Sequence, residues 1–229
     1  MKEETRLKIN TISNVLTVLF TVTGLAVMVL RNSGTYGLSD EGLKNLKFFT
    51  VQSNIFAAAV SAYILIRYKG KGAPDRSSYL LKMVSTAAVF VTFSVVAFFF
   101  GPLYGHSHFY HGSNLWFHLI VPLLCVADFL MTCPYRGISK KDALFSAIPP
   151  FLYGSVYLAN ILINGIGSGR DSNDWYGFVN WGLPVGILIF AGIMAVSVLA
   201  TLLLLQAGRV LMLKSDGKNS KITEGGNTP

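Results

Sequence analysis

In a chain this rich in hydrocarbon, the side chains able to move a proton are few. There are four histidines, and only His118 lies inside a long apolar run. A second run opens with Lys47-Phe48-Phe49-Thr50-Val51-Gln52-Ser53-Asn54. A threonine hydroxyl is a poor nucleophile until a base stands beside it. An imidazole, with an ordinary pKa of ~6.5, can take that proton and return it to a leaving group. At ~100° per residue, Thr50, Ser53, Asn54, Ala57 and Ser61 share one helical face, and Gln52 points the other way. Such a stripe must face protein or a water-filled cavity, because lipid cannot satisfy it. The competing reading of Thr50 is structural: a membrane threonine ordinarily donates to the carbonyl four residues before it in its own helix.

Other polar groups could serve the same chemistry. Tyr153, Tyr157, Asn160 and Asn164 follow i, i+4, i+7, i+11 spacing and share a face. An amide donor from Asn54, Asn160 or Asn164 could steady the oxyanion of an acyl-transfer intermediate. Ser53, Tyr157 and Trp175 complete the expected substrate contacts. Asn114, one turn before His118, is the expected partner that orients its ring. Asp128 is the only carboxylate inside an apolar span. At ~1.5 Å per residue it lies roughly 15 Å from His118, too far to form a triad with it. Pairing with Arg136 or another basic residue is expected. His106, His108 and His111 form a loose H-x-H-x-x-H, a weak metal signature. No metal and no cofactor are expected. Polar side chains at Asn10, Asn14, Thr17 and Thr21 mark one face of the first span and could equally glue helices together. Gly182 and Gly186 have the spacing of a packing motif.

The elements that must position these groups are membrane helices. The 229 residues are 52% hydrophobic and 13% charged, against about 25% charged in a soluble domain. The sequence predicts an all-α, polytopic bundle of six transmembrane helices. Their expected limits are about 12–30, 46–66, 79–100, 115–131, 143–163 and 183–205, each close to the ~20 residues that cross a bilayer. Residues 1–213 make one membrane domain, and 214–229 a polar tail expected to be disordered. Ser39 is a plausible N-cap for the stretch leading into the second span. Gly101-Pro102 is expected to end the third span, and Pro134 the fourth. The first run lacks a cleavage site, so no cleavable signal is expected. Cys125 and Cys133 are about 12 Å apart along a helix, beyond disulfide reach.

Of the 19 lysines and arginines, 15 fall on the side of the termini and 4 (Arg31, Lys44, Lys47, Arg170) on the other. The positive-inside rule puts both termini in the cytoplasm and the protein in the cell membrane. The net charge of +8 is therefore topology and not a nucleic-acid surface. No internal repeat is evident, so the inverted-repeat signature of many transporters is missing.

These residues carry a resemblance. Lys47-Phe48-Phe49-Thr50 opening one span, and His118-Leu119-Ile120-Val121-Pro122 opening another, resemble the androgen-induced/androgen-dependent family of membrane threonine hydrolases. The chain is most similar to the predicted six-helix microbial members, with their T-x-Q-S-N element, histidine near V-P, and aromatic Y-x-F motif. Here the last is Tyr176-Gly177-Phe178. The resemblance implies hydrolysis of fatty acid esters of hydroxy fatty acids, with Thr50 as nucleophile, His118 as its base, and a lipid substrate drawn from the bilayer. A small transporter or channel with a polar-lined path, and a non-catalytic membrane interaction protein, are the alternatives. The charge asymmetry makes a direct prediction: a C-terminal reporter that works only outside the cytoplasm stays silent, and one that works only inside is active.

Overall fold

The computed structural model describes residues 3–31, 40–68, 73–133, 137–168 and 172–224. The expected N-cap at Ser39, the stop at Pro134, and Arg136 lie outside them. The described chain is helical, with six helices long and apolar enough to cross a membrane. We name them α1 (Glu3–Arg31), α2 (Phe49–Tyr68), α3 (Arg76–Tyr104), α4 (Ser113–Thr132), α5 (Ile148–Asn164) and α6 (Leu183–Glu224). Helix α2 is preceded by a tighter turn, Gly42–Lys47, and α5 by another, Lys140–Ala147. The prolines that follow, Pro149 and Pro150, sit in the first turn of α5, where a missing N–H is harmless. Helix α6 runs past the expected end of the sixth span and through much of the expected polar tail. No proline interrupts residues 185–224, and nothing else there forbids a helix.

Helices α1 to α4 form the central packing, with α1 against α2 and α4, and α3 against α2, α4 and α6. Helix α5 lies mainly on α6 and meets α2 and α3 only sparsely. Two glycines permit close approaches. A Cβ on Gly24 would stand 2.7 Å from the Phe117 ring of α4, and one on Gly154 would stand 2.7 Å from the Phe190 ring of α6. Gly186 abuts Val179 and the Phe178 carbonyl of its own chain, so it serves internal packing.

Two wide turns matter most for the site. Helix α3 does not stop at Gly101-Pro102. It widens over Val96–Phe100, where the Gly101 N–H reaches the Val96 carbonyl, and continues to Tyr104. Helix α4 does the same over Trp116–Ile120, where the Val121 N–H reaches the Trp116 carbonyl. Each wide turn is followed by a residue and then a proline, Pro102 or Pro122. The reason is local. A proline clashes with the carbonyl four residues back and has no N–H to give, and a turn closed by i→i+5 bonds relieves that crowding. One carbonyl per turn is then left without a helical donor: Ala97 in α3 and Phe117 in α4. Side chains supply what is missing. His106 Nε2 lies 3.2 Å from the Ala97 oxygen, and Asn54 Nδ2 donates to the Phe117 oxygen at 3.0 Å.

The half of the bundle remote from Thr50 holds a buried polar cluster. Lys82 of α3 and Asp128 of α4 form an ion pair, with side-chain exposures of 5% and 2%. Thr132 Oγ1 lies 3.1 Å from the Asp128 carboxylate, Asn10 donates to Thr132 Oγ1 at 3.2 Å, and Asn14 donates to Asn10 Oδ1 at 2.6 Å. The polar face of α1 is thus joined to α4 at this end. Both cysteines are buried, and they are not joined in a disulfide. At the mouth of α3, Asp75 caps the helix by accepting from the Ser78 N–H at 2.9 Å, and that bond holds its carboxyl below the usual carboxylate range.

The ion pair generates a stability prediction. Lys82→Ala or Asp128→Ala leaves one buried charge without its partner and should destabilise the protein by about 3–5 kcal/mol. Lys82→Met combined with Asp128→Leu should recover most of that loss, as read by thermal unfolding in detergent.

Candidate functional site

Thr50 is the second residue of α2. The carbonyl four residues before it, Leu46, precedes the helix and accepts from Gln52 Nε2 at 2.9 Å. Six other threonines, Thr11, Thr17, Thr23, Thr92, Thr132 and Thr201, donate to the carbonyl four residues back in the usual way. Thr50 does not. Its Oγ1 lies 3.3 Å from His118 Nε2, across 68 residues of sequence.

The direction of that bond follows from the far side of the ring. His118 Nδ1 lies 3.0 Å from the Phe109 carbonyl oxygen. A carbonyl only accepts, so Nδ1 carries the proton, and in the neutral ring Nε2 is left as the acceptor. Thr50 then donates to Nε2, the geometry a nucleophile and its base require. Asn114 was expected to orient the imidazole, but the Phe109 backbone does so. No side-chain pattern could have announced a main-chain acceptor.

Both groups face one cavity of about 80 Å³. Its walls are mostly apolar, with Met28, Phe48, Phe100, Phe117 and Phe190 among them. Thr50, His118 and Asn114 line it, as do Ser113, Tyr153 and Tyr176. The other expected site residues lie elsewhere. Ser53 Oγ donates to the Thr50 carbonyl at 3.0 Å. The Asn54 amide nitrogen donates to the Thr50 carbonyl at 2.7 Å and to the Phe117 carbonyl at 3.0 Å. It is occupied, so it has no donor for an oxyanion, and instead it ties Thr50 to the histidine-bearing turn.

Asn160 donates to Asn173 at 3.0 Å, and Asn164 donates to Asn160 at 2.8 Å. Both therefore hold the chain that follows α5 rather than the cavity. Of the four residues at this spacing, Tyr153 lines the cavity, and the two asparagines lie at the helix end. Tyr157 donates to Asp174, whose carboxylate also accepts from the Phe178 and Val179 N–H groups at 2.8 and 3.0 Å. Trp175 donates its indole N–H to Tyr153 Oη at 2.9 Å and packs edge-on to Tyr157, centroids 4.7 Å apart. These two residues fold the 172–182 segment against α5.

That segment delivers Tyr176, which the sequence offered only within its aromatic motif. Tyr176 Oη accepts the Phe49 N–H at 2.9 Å, one of the free amides at the start of α2. Burial pushes its phenol up to about 12, so it remains protonated at neutral pH. The side chain lines the cavity beside Thr50. On the other flank, Asp40 binds Lys47 at 2.9 Å and sits below the usual carboxylate range because of that bond, which fixes the turn leading into α2.

Among the described residues no group of three or more His, Cys, Asp or Glu is placed to hold a metal ion. His106 is engaged with Ala97, and the His108 side chain lies outside the described residues. Asp128 pairs with Lys82. Comparison with known protein families, curated proteins and solved structures finds no match to this chain.

The tautomer is directly measurable. In protein carrying ¹⁵N-histidine, the His118 signals, assigned by their loss in His118→Gln, should show a protonated Nδ1 and a bare Nε2. Thr50→Val and Asn54→Ala should each shift the Nε2 resonance, whereas Asn160→Ala should not. The opposite tautomer would overturn the assignment of donor and acceptor.

Proposed function

We propose that this chain is a six-span membrane protein, with both termini in the cytoplasm, that hydrolyses a lipid ester through Thr50 and His118. The observation that carries the reading is the Thr50 hydroxyl aimed at the unprotonated nitrogen of His118, in an apolar cavity where a helical threonine would otherwise bond its own backbone. The resemblance to membrane threonine hydrolases points the same way and suggests a fatty acid ester of a hydroxy fatty acid. The charge asymmetry of the sequence puts the cavity toward the outer leaflet.

The steps follow from the geometry. Thr50 Oγ1 attacks the ester carbonyl carbon as its proton passes to His118 Nε2. The Phe109 carbonyl, bonded to Nδ1–H, steadies the imidazolium that forms. Negative charge gathers on the former carbonyl oxygen, where Tyr176 Oη–H is the available donor. The C–O bond to the leaving alcohol breaks, and His118 returns the proton to it. Water then attacks the acyl-threonine with His118 again as base, which releases the acid and restores Thr50.

One observation favours a second reading. A buried ion pair within a membrane span often marks an ion or substrate path, and Lys82–Asp128 is such a pair. A transporter that moves substrate without cleaving it is the alternative it supports.

Purified protein in detergent, assayed on a long-chain ester and labelled with a fluorophosphonate, separates the two. Thr50→Ala and His118→Ala should each abolish turnover and labelling, and the double variant should be hardly worse than either, because the pair acts as a unit. Thr50→Ser should retain some turnover, and Ser53→Ala should be milder than Thr50→Ala. Tyr176→Phe should lower kcat by about 10²–10³ with little change in KM if its hydroxyl meets the oxyanion. Full hydrolysis by well-folded Thr50→Ala refutes the nucleophile. Transport without hydrolysis in the wild type favours the second reading.

A further inference from the structure

The cavity at Thr50 is small, about 80 Å³, and a long chain attached to an ester held there finds more room beside it. A groove of about 810 Å³ runs beside the cavity between α2, α3 and α5, where α5 meets its neighbours only sparsely. Its walls include Phe56, Leu81, Val84, Leu152 and Val156. Leu152 and Val156 are exposed, at 57% and 71%, so the groove opens sideways.

Along the end of the Lys140–Ala147 turn and the first half of α5 the lining runs from Phe145 to Tyr157, roughly 18 Å at ~1.5 Å per residue. That exceeds half of the ~30 Å hydrocarbon core, the depth of one leaflet's acyl chains. Lys47 and Trp175 stand at one end of this groove, the end nearest Thr50.

The two spaces share a wall. Phe49 and Tyr153 line both, with their ring centroids 5.2 Å apart. Below them Ser53, which lines the groove, meets Thr92, which lines the cavity, at 3.3 Å between hydroxyls. Tyr153 is fixed at its phenol: it donates to the Lys47 carbonyl at 2.8 Å and accepts from Trp175 at 2.9 Å. Phe49 has no such tether on its side chain.

We infer that the groove between α2, α3 and α5 is the binding site for the acyl chain of a membrane lipid, and that Phe49 is the panel separating it from Thr50 and His118. The surroundings identify the occupant. At this depth the solvent is lipid, the walls are hydrocarbon, and the length is that of one chain. The inference rests on the hydrolase reading for the ester bond, but not for the chain.

Binding and cleavage can be read separately. Purified protein is photolabelled with a diazirine-bearing palmitate, and the labelled peptides are mapped by mass spectrometry. Label should fall on the segments around Leu81 and Leu152 and be competed by unlabelled palmitate. Leu152→Trp and Leu81→Trp, which fill the groove, should each lower it at least tenfold. Leu199→Trp, an exposed position on α6, should not. In the ester assay the same groove variants should lower the ratio of palmitate-ester to acetate-ester turnover tenfold, and Phe49→Ala should raise it.

Saturable label in the groove without hydrolysis of any ester supports the chain site and removes the hydrolase reading. Hydrolysis with an unchanged ratio, and label spread without competition over all exposed faces, removes the chain site and leaves the hydrolase. A disulfide-linked dimer formed efficiently by Val156→Cys would show that a second copy covers the groove and would overturn the inference.

Discussion

The missing N–H of Pro122 sets the position of everything at the site. It forbids an ordinary helical turn at His118, four residues earlier, so α4 widens over Trp116–Ile120. Widening strands the Phe117 carbonyl, which in an apolar interior costs about 1–3 kcal/mol if left bare. Asn54 meets it and at the same time binds the Thr50 carbonyl. One amide therefore joins the first turn of α2 to the turn that bears His118. The same turn points the ring at the Phe109 carbonyl on one side and Thr50 on the other. The equivalent defect before Pro102 is answered by His106, which lies beside the same region of α3 and holds the segment that carries Phe109.

The start of α2 is the second constraint. A helix leaves its first N–H groups without partners, and here one of them is met by Tyr176 from a segment 127 residues away. That segment is itself folded around Asp174, which accepts from Tyr157 and from two backbone amides. Helix α5 thus acts at one remove. Its tyrosines and asparagines hold the segment that brings Tyr176 to the cavity, while Tyr153 closes the wall beside Phe49. The polarity of α5 reads as a site lining in the sequence because both roles need the same residue types on the same face.

Buried polarity divides between the two halves of the bundle. Around Thr50 the polar groups that line the cavity are neutral, and the Asp174 carboxylate lies behind them, held by Tyr157 and two backbone amides. Toward the termini the polarity is ionic, with Lys82 and Asp128 joined to α1 through Thr132 and Asn10. In an interior of low dielectric each charge is tolerable only because of the other. Helices apolar enough to cross a membrane would gain little from hydrophobic association there, which leaves such contacts and the close packing at Gly24 and Gly154 to join them.

The sequence alone determined the helices, their number and the matched depth of Thr50 and His118, because hydropathy and helical rise are properties of local composition. It also determined that Cys125 and Cys133 stay apart. It could not decide which polar groups face the cavity. Asn54, Asn160 and Asn164 were equivalent amides by type and spacing, yet one satisfies a stranded carbonyl and two secure the 172–182 segment. Nor could it show that Pro102 widens a helix instead of ending it, that Phe109 orients the histidine through its backbone, or that Lys82 meets Asp128. Each of these depends on which donor fills which orphaned acceptor across tens of residues. That matching is settled only when the helices pack.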